Sequence, residues 1–408
     1  MSRLPVIRSI AAAMVATAMA LAMAAPAAAR GDLFDNTARI LSDQYFDRDF
    51  RRDTLPGLIE KYRPAADAAD SRAAERLIVH EFLSEIPASH LAIISTDEHR
   101  AMFNELNNAP QPTFGFELVH LEDGFFVHTL LEEGPADRSG LRQGDRVVSI
   151  DGEDVAASDR LGWRSDDAAL PDPPIHRVLA EIGDGIRLQV ERRPGEERFI
   201  DIVATTYSAF EAARESAAII EHDGEKIAYI HLWFIHIRGV DRMLGNLMRR
   251  QFAGAAALVV DLRGRGGSAD MAIRIVRLLA TYRKESGKPV IVLIDSMTRS
   301  AKEVIAFSIR KYGIGTLVGE RTAGAVLPAM FERVDEETML MFPAFKLAQY
   351  TDLIEGKGVE PDVRAEAPGP YSAGADPILE AALNEAVRQA GQRRDEHAMT
   401  SERQRGGS

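Results

Sequence analysis

Residues 291–303 read I-V-L-I-D-S-M-T-R-S-A-K-E. Four apolar residues (291–294) run into a polar turn, and a helical pattern starts abruptly at Ser300. Ala301, Val304, Ile305, Ser308 and Tyr312 then recur at three- and four-residue steps, as on one buried helical face. The layout is strand, tight turn, serine, helix. A serine placed there stands at the end of a sheet with unpaired helical N–H groups behind it, so charge developing on a bound oxygen is stabilised. The same serine could be no more than an N-cap, the commonest task at a helix start. The rest of the chain has to decide.

At 408 residues two or three domains are expected, and ordinary apolar content allows real cores. A net charge of −13 with no basic cluster argues against a nucleic-acid partner. Cysteine is absent, which excludes disulfides, cysteine-ligated metal and a thiol nucleophile. No cofactor is implied. Arg3 and Arg8 precede an apolar run over residues 10–25, and Ala27-Ala28-Ala29 forms a small-x-small site before Arg30. Residues 1–29 therefore read as a cleavable signal peptide, and the mature chain as periplasmic or secreted. An uncleaved anchor is the competing reading, but the run is alanine-rich and short for a span. No other segment approaches membrane length.

Residues 30–110 read as a small helical domain. Phe34, Ala38, Leu41 and Tyr45 share one face, as do Leu77, Ile78, Phe82 and Ile86, with a break expected at Pro64 and residues 65–70. Its end carries Ser89-His90 and a short apolar run, 91–94. Residues 111–205 resemble a PDZ domain: Phe114-Gly115-Phe116 opens a strand, 125–130 is another, and Gly144-Asp145 leads through a strand to Asp151-Gly152. Residues 174–182 are expected to form the helix that flanks a bound peptide, after an insertion over 156–173. The resemblance implies that a polypeptide with a free, apolar C-terminus pairs as an added strand, with Phe114, Gly115 and Phe116 forming its peptide-binding loop. A purely structural or autoinhibitory domain is the other possibility.

Residues 206–391 alternate strand and helix, which argues for an α/β core with largely parallel strands. His231, beside Tyr229 and Trp233, reads as a packed histidine. The stretch 392–408 is polar and is expected to be disordered.

Four pieces fall in one order: Ser89-His90, the Gly266-Gly267 turn within D-L-R-G-R-G-G, S-A-K-E at 300–303, and E-G-K-G-V-E-P-D from Glu355. With helices ahead of a PDZ-like region, this resembles the carboxy-terminal-processing and tricorn-core family of serine peptidases. G-E-R-T-A-G-A, from Gly319, matches a further family segment. The resemblance implies a crotonase-like (ClpP/crotonase) α/β core, with Ser300 as nucleophile and an acyl-enzyme intermediate. It implies an oxyanion hole from Gly266 or Gly267 together with Ala301, where a side chain would keep the backbone from the substrate. Many family members place a lysine base where this chain has Ala325. Tricorn-like members use a serine–histidine pair and a late glutamate, here Ser89, His90 and Glu355. An imidazole titrates in the range such a base needs.

Lys302 is turned about 200° from Ser300 on a helix, so it is not read as the base, and its loss is expected to matter little. Lys357 is expected to be solvated or salt-bridged. Two other classes of function stay open: a catalytically silent binding protein of the same architecture, and a PDZ-led scaffold. The partner expected is a polypeptide; oligomers are compatible with the resemblance.

Overall fold

The computed structural model describes residues 32–163 and 175–405. The signal-peptide reading lies outside them, as does most of the insertion at 156–173. The described chain divides into two compact units at Ile86/Pro87, so Ser89 and His90 belong to the second unit rather than to the helical region expected to hold them.

The described residues of the first unit form four helices: α1 (Asp32–Gln44), α2 (Arg48–Asp53), α3 (Leu55–Ala68) and α4 (Arg72–Ser84). Phe34, Ala38, Leu41 and Tyr45 are buried as expected, and Phe34 meets Phe82 edge-on at 5.1 Å. On α4 the inward face is Val79, Phe82 and Leu83, while Leu77 is exposed. Phe82 and Ile86 of the expected face are buried, and Val79 and Leu83 turn inward in place of Leu77. Pro64 does not end α3, which continues to Ala68; the break falls later, where Ser71 caps α4 through the Ala74 N–H.

The second unit begins with β1 (Ala92–Ser95) and α5 (Thr96–Leu106), then β2 (Gln111–Thr113), β3 (Phe116–Leu121) and β4 (Gly124–Leu130). A short α6 (Pro135–Arg138) leads to β5 (Arg146–Ile150), β6 (Glu153–Asp154), β7 (Leu161–Trp163), β8 (Ile175–Val178), β9 (Gly185–Glu191) and β10 (Glu197–Val203). These make an eight-stranded sheet in the order β10-β9-β5-β4-β3-β8-β7, with β6 on β5. Its core holds Phe114, Phe116, Leu118, Val147 and Leu188.

The helix expected over residues 174–182 is not formed: β8 is a strand there, antiparallel to β3 with Glu117↔Arg177, Leu118↔His176 and Val119↔Ile175. The physical reason lies in the residues. Ile175 and Val178 are β-branched and find buried places, whereas Leu179 and Ile182, needed for a helical face, are exposed. An unpaired β3 edge is also a ready template for a neighbouring segment.

Next come β11 (Thr205–Tyr207), which pairs with β2, then α7 (Ala209–Glu215), β12 (Ala218–His222) and β13 (Glu225–His231). They are followed by α8 (Val240–Arg249), β14 (Ala257–Asp261), α9 (Ala269–Ser286), β15 (Val290–Ile294), α10 (Ala301–Lys311) and β16 (Thr316–Gly319). The chain ends with β17 (Ala329–Arg333), β18 (Thr338–Pro343), α11 (Ala348–Ile354), β19 (Val363–Arg364) and α12 (Pro377–Arg405).

A six-stranded sheet, β12-β13-β14-β15-β16-β19, is parallel except for β12 on β13. One face packs Ala228, Ile230, Leu258, Val292 and Ile305; the other packs Tyr229, Val259, Ile291 and Leu383. Strands covered on both faces have to read as near-continuous apolar runs, and 257–260 and 290–294 do. β1, β18 and β17 form a third, smaller sheet. α12 continues to Arg405, so the expected disordered tail is helical over most of its length; alanine, glutamate, arginine and glutamine there are good helix formers. Among the described residues no helix is long and apolar enough to cross a membrane.

Candidate active site

β15 ends at Ile294, and the chain turns through Asp295–Arg299 before α10 begins at Ala301. Ser300 sits between them with φ 55° and ψ −122°, a conformation natural to glycine and costing another residue about 1–3 kcal/mol. Something must hold it there, and the holder is Glu303. Its side chain is wholly buried, and its carboxylate accepts from Ser300 N (3.1 Å), Thr322 Oγ1 (2.5 Å), Gly324 N (2.7 Å) and Ala325 N (2.8 Å). Burial pushes this carboxyl above its ordinary value, against those four donors. Ser300 N also donates to Ala325 O at 2.9 Å, so Ala325, the position to which the resemblance assigns a lysine in other members, lies beside Ser300.

Glu303 was missed as a functional residue, although S-x-x-E is the pattern in which a helix-start glutamate reaches back to backbone N–H groups. A second brace is Thr298, whose Oγ1 donates to Asp295 Oδ1 at 2.7 Å; the same oxygen accepts from Gly264 N at 3.3 Å.

The glycine turn after β14 lies against the serine. A Cβ built on Gly266 would stand 2.6 Å from Ser300 Cβ, and one on Gly267 2.3 Å from Ile235 O. No side chain fits at either position. Ala301 is the first helical residue, so its N–H lies ahead of the helix's own hydrogen-bond ladder.

Ser89 and His90 enter from the loop before β1. Ser89 Oγ lies 2.9 Å from His90 Nδ1 and donates to Glu355 Oε2 at 3.1 Å; Ser89 N donates to Glu355 Oε1 at 2.8 Å. Val326 N and Leu327 N also donate to Glu355 Oε2 (2.9 and 3.1 Å), which fixes the carboxylate. The proton assignment follows from valence. A carboxylate only accepts, so it takes the one hydroxyl proton of Ser89, and Ser89 Oγ must accept from His90 Nδ1–H. That tautomer leaves His90 Nε2 with a lone pair. His90, like Ser300, has a positive φ (57°).

His90, Ser300, Gly266, Gly267 and Ala301 all line one cavity of about 680 Å³. Its other walls are largely apolar: Met102 and Phe103 of α5, Phe331 of β17, Met339 and Met341 of β18. A hydroxyl, an imidazole and a backbone concavity thus share one largely apolar chamber, an arrangement able to activate the hydroxyl and to receive an oxyanion.

Lys302 and Lys357 part company. Lys357 is exposed and donates to Asp352 O at 2.8 Å. Lys302 has no accessible surface, and Nζ donates to Arg263 O and Trp233 O. It cannot be the dispensable side chain expected from its helical phase. α10 is buried nearly all round its first turns, so the direction away from Ser300 leads into protein and not into water. His231 stacks on Trp233 at 3.7 Å and meets Glu132 at 3.1 Å, in keeping with a packed histidine. Asp261 lies beneath it. Burial works against that carboxylate, but Arg263 and His231 beside it outweigh the cost and hold it well below the usual carboxylate range.

The Phe114–Phe116 loop is less open than expected. Gly115 N–H is taken by Thr113 Oγ1 at 2.9 Å, Phe114 O accepts from Ala136 N, and Phe116 is already paired with Leu130 on β4.

The fold is shared with a photosystem II D1 C-terminal processing protease, at a TM-score of 0.50 and 19% identity over 86% of this chain and 96% of that one. A Peptidase family S41 model matches residues 279–365 and a PDZ domain model residues 105–160. Tricorn protease homolog 1 of Streptomyces coelicolor is 26% identical over 88% of this chain, and a carboxyl-terminal-processing protease of a Picosynechococcus species 25% identical over 57%. The chain thus carries a segment of the peptidase family S41 type over residues 279–365 and one of the PDZ type over residues 105–160. It spans 35% of the length of the Streptomyces relative and 58% of the Picosynechococcus one.

Proposed function

We propose that the chain is a serine endopeptidase of the tricorn-like kind, built on a crotonase-like core, that hydrolyses polypeptides through Ser300, His90, Ser89 and Glu355. His90 Nε2 takes the Ser300 proton as Oγ attacks the scissile carbonyl. Backbone N–H groups of the Gly266-Gly267 turn and of Ala301 receive the oxyanion. Collapse expels the amine, protonated by His90, and leaves an acyl-serine that water clears by the same steps in reverse order. Ser89 and Glu355 orient the imidazole and balance its charge. The observation that carries this reading is the Glu355–Ser89–His90 chain ending at the cavity that holds Ser300. Export to the periplasm or beyond is part of the proposal and rests on Arg3, Arg8, the apolar run and the Ala27–Ala29 site; mass spectrometry of exported protein finding Met1 intact would remove it.

A preference for substrates with a free C-terminus has less support. β8 fills the β3 edge where such a terminus would pair, and the loop's Gly115 N–H is already engaged. The substrate is therefore read as an extended polypeptide selected at the apolar cavity. Labelling by a serine-reactive fluorophosphonate tests the site: one adduct mapped to Ser300 and lost in His90→Ala is expected. An unlabelled, well-folded wild-type protein would leave the silent binding-protein reading in its place.

A further inference from the structure

Lys302 stands two residues after Ser300, and a lysine is almost never buried completely unless its Nζ is satisfied. Here Nζ donates to Arg263 O at 2.7 Å and to Trp233 O at 3.1 Å. Both carbonyls lie just past the ends of adjacent parallel strands, β13 and β14, whose last paired residues are His231 and Asp261. Beyond that pair the two segments separate. They meet again where Ile235 N donates to Gly266 O (3.0 Å) and Ser268 N donates to Ile235 O (2.7 Å). The loop between these points is the glycine turn that lies against Ser300.

The side chain of Arg263 faces elsewhere: its guanidinium is paired with Asp261 and Asp376, each at 2.6 Å. Arg265 is likewise engaged, with Glu105 at 2.9 Å and Glu117 at 2.5 Å. The carbonyl at the root of the turn is thus tied to the helix that starts at Ser300 through Lys302.

We propose that Lys302 is a positioning residue for the oxyanion turn. By bridging Arg263 O and Trp233 O from the first turn of α10, it sets the Gly266 and Gly267 N–H groups at a fixed offset from Ser300. The proposal rests on the peptidase reading of the site. Donors aimed at a developing oxyanion act only where they are pre-placed to within a fraction of an ångström. A turn loosened at its root loses transition-state stabilisation while still admitting substrate.

The test is Lys302→Met, which keeps the stem and removes the donor, with Lys302→Gln, which restores two N–H donors on a shorter arm. Relative to wild type, kcat for a polypeptide substrate should fall roughly 10- to 100-fold in Lys302→Met with KM within about threefold. The Ki of a peptide aldehyde, which forms a tetrahedral adduct on serine, should rise by the same factor as kcat/KM falls. Lys302→Gln should lie between. Hydrogen exchange should quicken at residues 264–268 in Lys302→Met and less in Lys302→Gln. A folded Lys302→Met with unchanged kcat and aldehyde Ki overturns the proposal, as does a loss confined to KM. If Lys302→Met does not fold, the same outcomes are read on Lys302→Gln. Should wild type neither turn over substrate nor take the fluorophosphonate, the peptidase reading fails by itself. Hydrogen exchange then decides the placement of the turn, and unchanged protection at 264–268 refutes it.

Discussion

The Ser300 cleft and the β3 edge of the PDZ domain are both surfaces on which a polypeptide could lie, and the chain treats them in opposite ways. Around Ser300 two carboxylates are spent on shaping an open space. Glu303 holds the serine in a strained turn, Glu355 holds Ser89 and through it His90, and the cavity between them remains about 680 Å³. At the β3 edge the chain's own β8 supplies the strand a ligand would supply, and Arg177 of β8 faces Glu117 of β3. The cleft is held open and the edge is self-occupied. The largest consequences of changing the protein should therefore fall on the cleft, and the smallest on the edge.

Removing the Ser300 hydroxyl should separate the two most sharply. Ser300→Ala should abolish turnover to background, and His90→Ala should lower kcat by roughly 10²–10⁴-fold. Ser89→Ala and Glu355→Gln should fall between these and wild type, because they leave the imidazole present but less well oriented. Lysine-based catalysis would show the reverse order, with His90→Ala active. These constants come from a single progress-curve series on one unstructured polypeptide substrate.

Much of this cleft was legible in sequence, and the reason is local. A strand, a turn and a serine-led helix leave a pattern within thirteen residues, and the glycines at 266 and 267 mark a turn that packs too closely on Ser300 and Ile235 for a side chain. Partners distant in sequence, such as Ser89 and Glu355, separated by 266 residues, came into view only through the order of the motifs. What stayed hidden was burial. Helical phase says correctly that Lys302 points away from Ser300, but whether that direction holds water or protein is a property of the neighbours, Trp233 and Arg263. The PDZ edge was misread for a related reason. Residues 174–182 carry apolar residues in places that either a helix or a strand could use, and the open β3 edge decided for the strand.

An intermediate effect is expected from acid, at His236. His236 is 1% exposed, with its ring edge-on to Phe210 and Phe234. Burial depresses its pKa to about 4, Glu105 opposing and Lys302 adding to the shift. The folded state therefore favours the neutral ring. Stability from this group is complete above the unfolded value of 6.5 and is lost as pH falls from 6.5 towards 4. A displacement of this size corresponds to about 3 kcal/mol. Thermal unfolding of wild type and His236→Phe should diverge across that window, with the phenylalanine variant losing less. Parallel curves would place the acid sensitivity elsewhere.

The smallest effect is expected at the PDZ edge itself. If β8 stays in place, a substrate's terminal carboxylate has neither a free strand edge at β3 nor the Gly115 N–H to receive it, since Thr113 Oγ1 holds that hydrogen. Amidating the C-terminus of a good polypeptide substrate should then change kcat/KM by less than about twofold, the scale of one weak exposed interaction. The same pair of substrates on His176→Pro sharpens the comparison. Proline at that position removes a backbone donor from β8 opposite Leu118 and weakens its hold on β3, so the variant should become the more sensitive to amidation. A wild-type preference of tenfold or more for the free acid would mean that β8 leaves the edge during turnover. The two surfaces would then differ in when they open rather than in what they were built to bind.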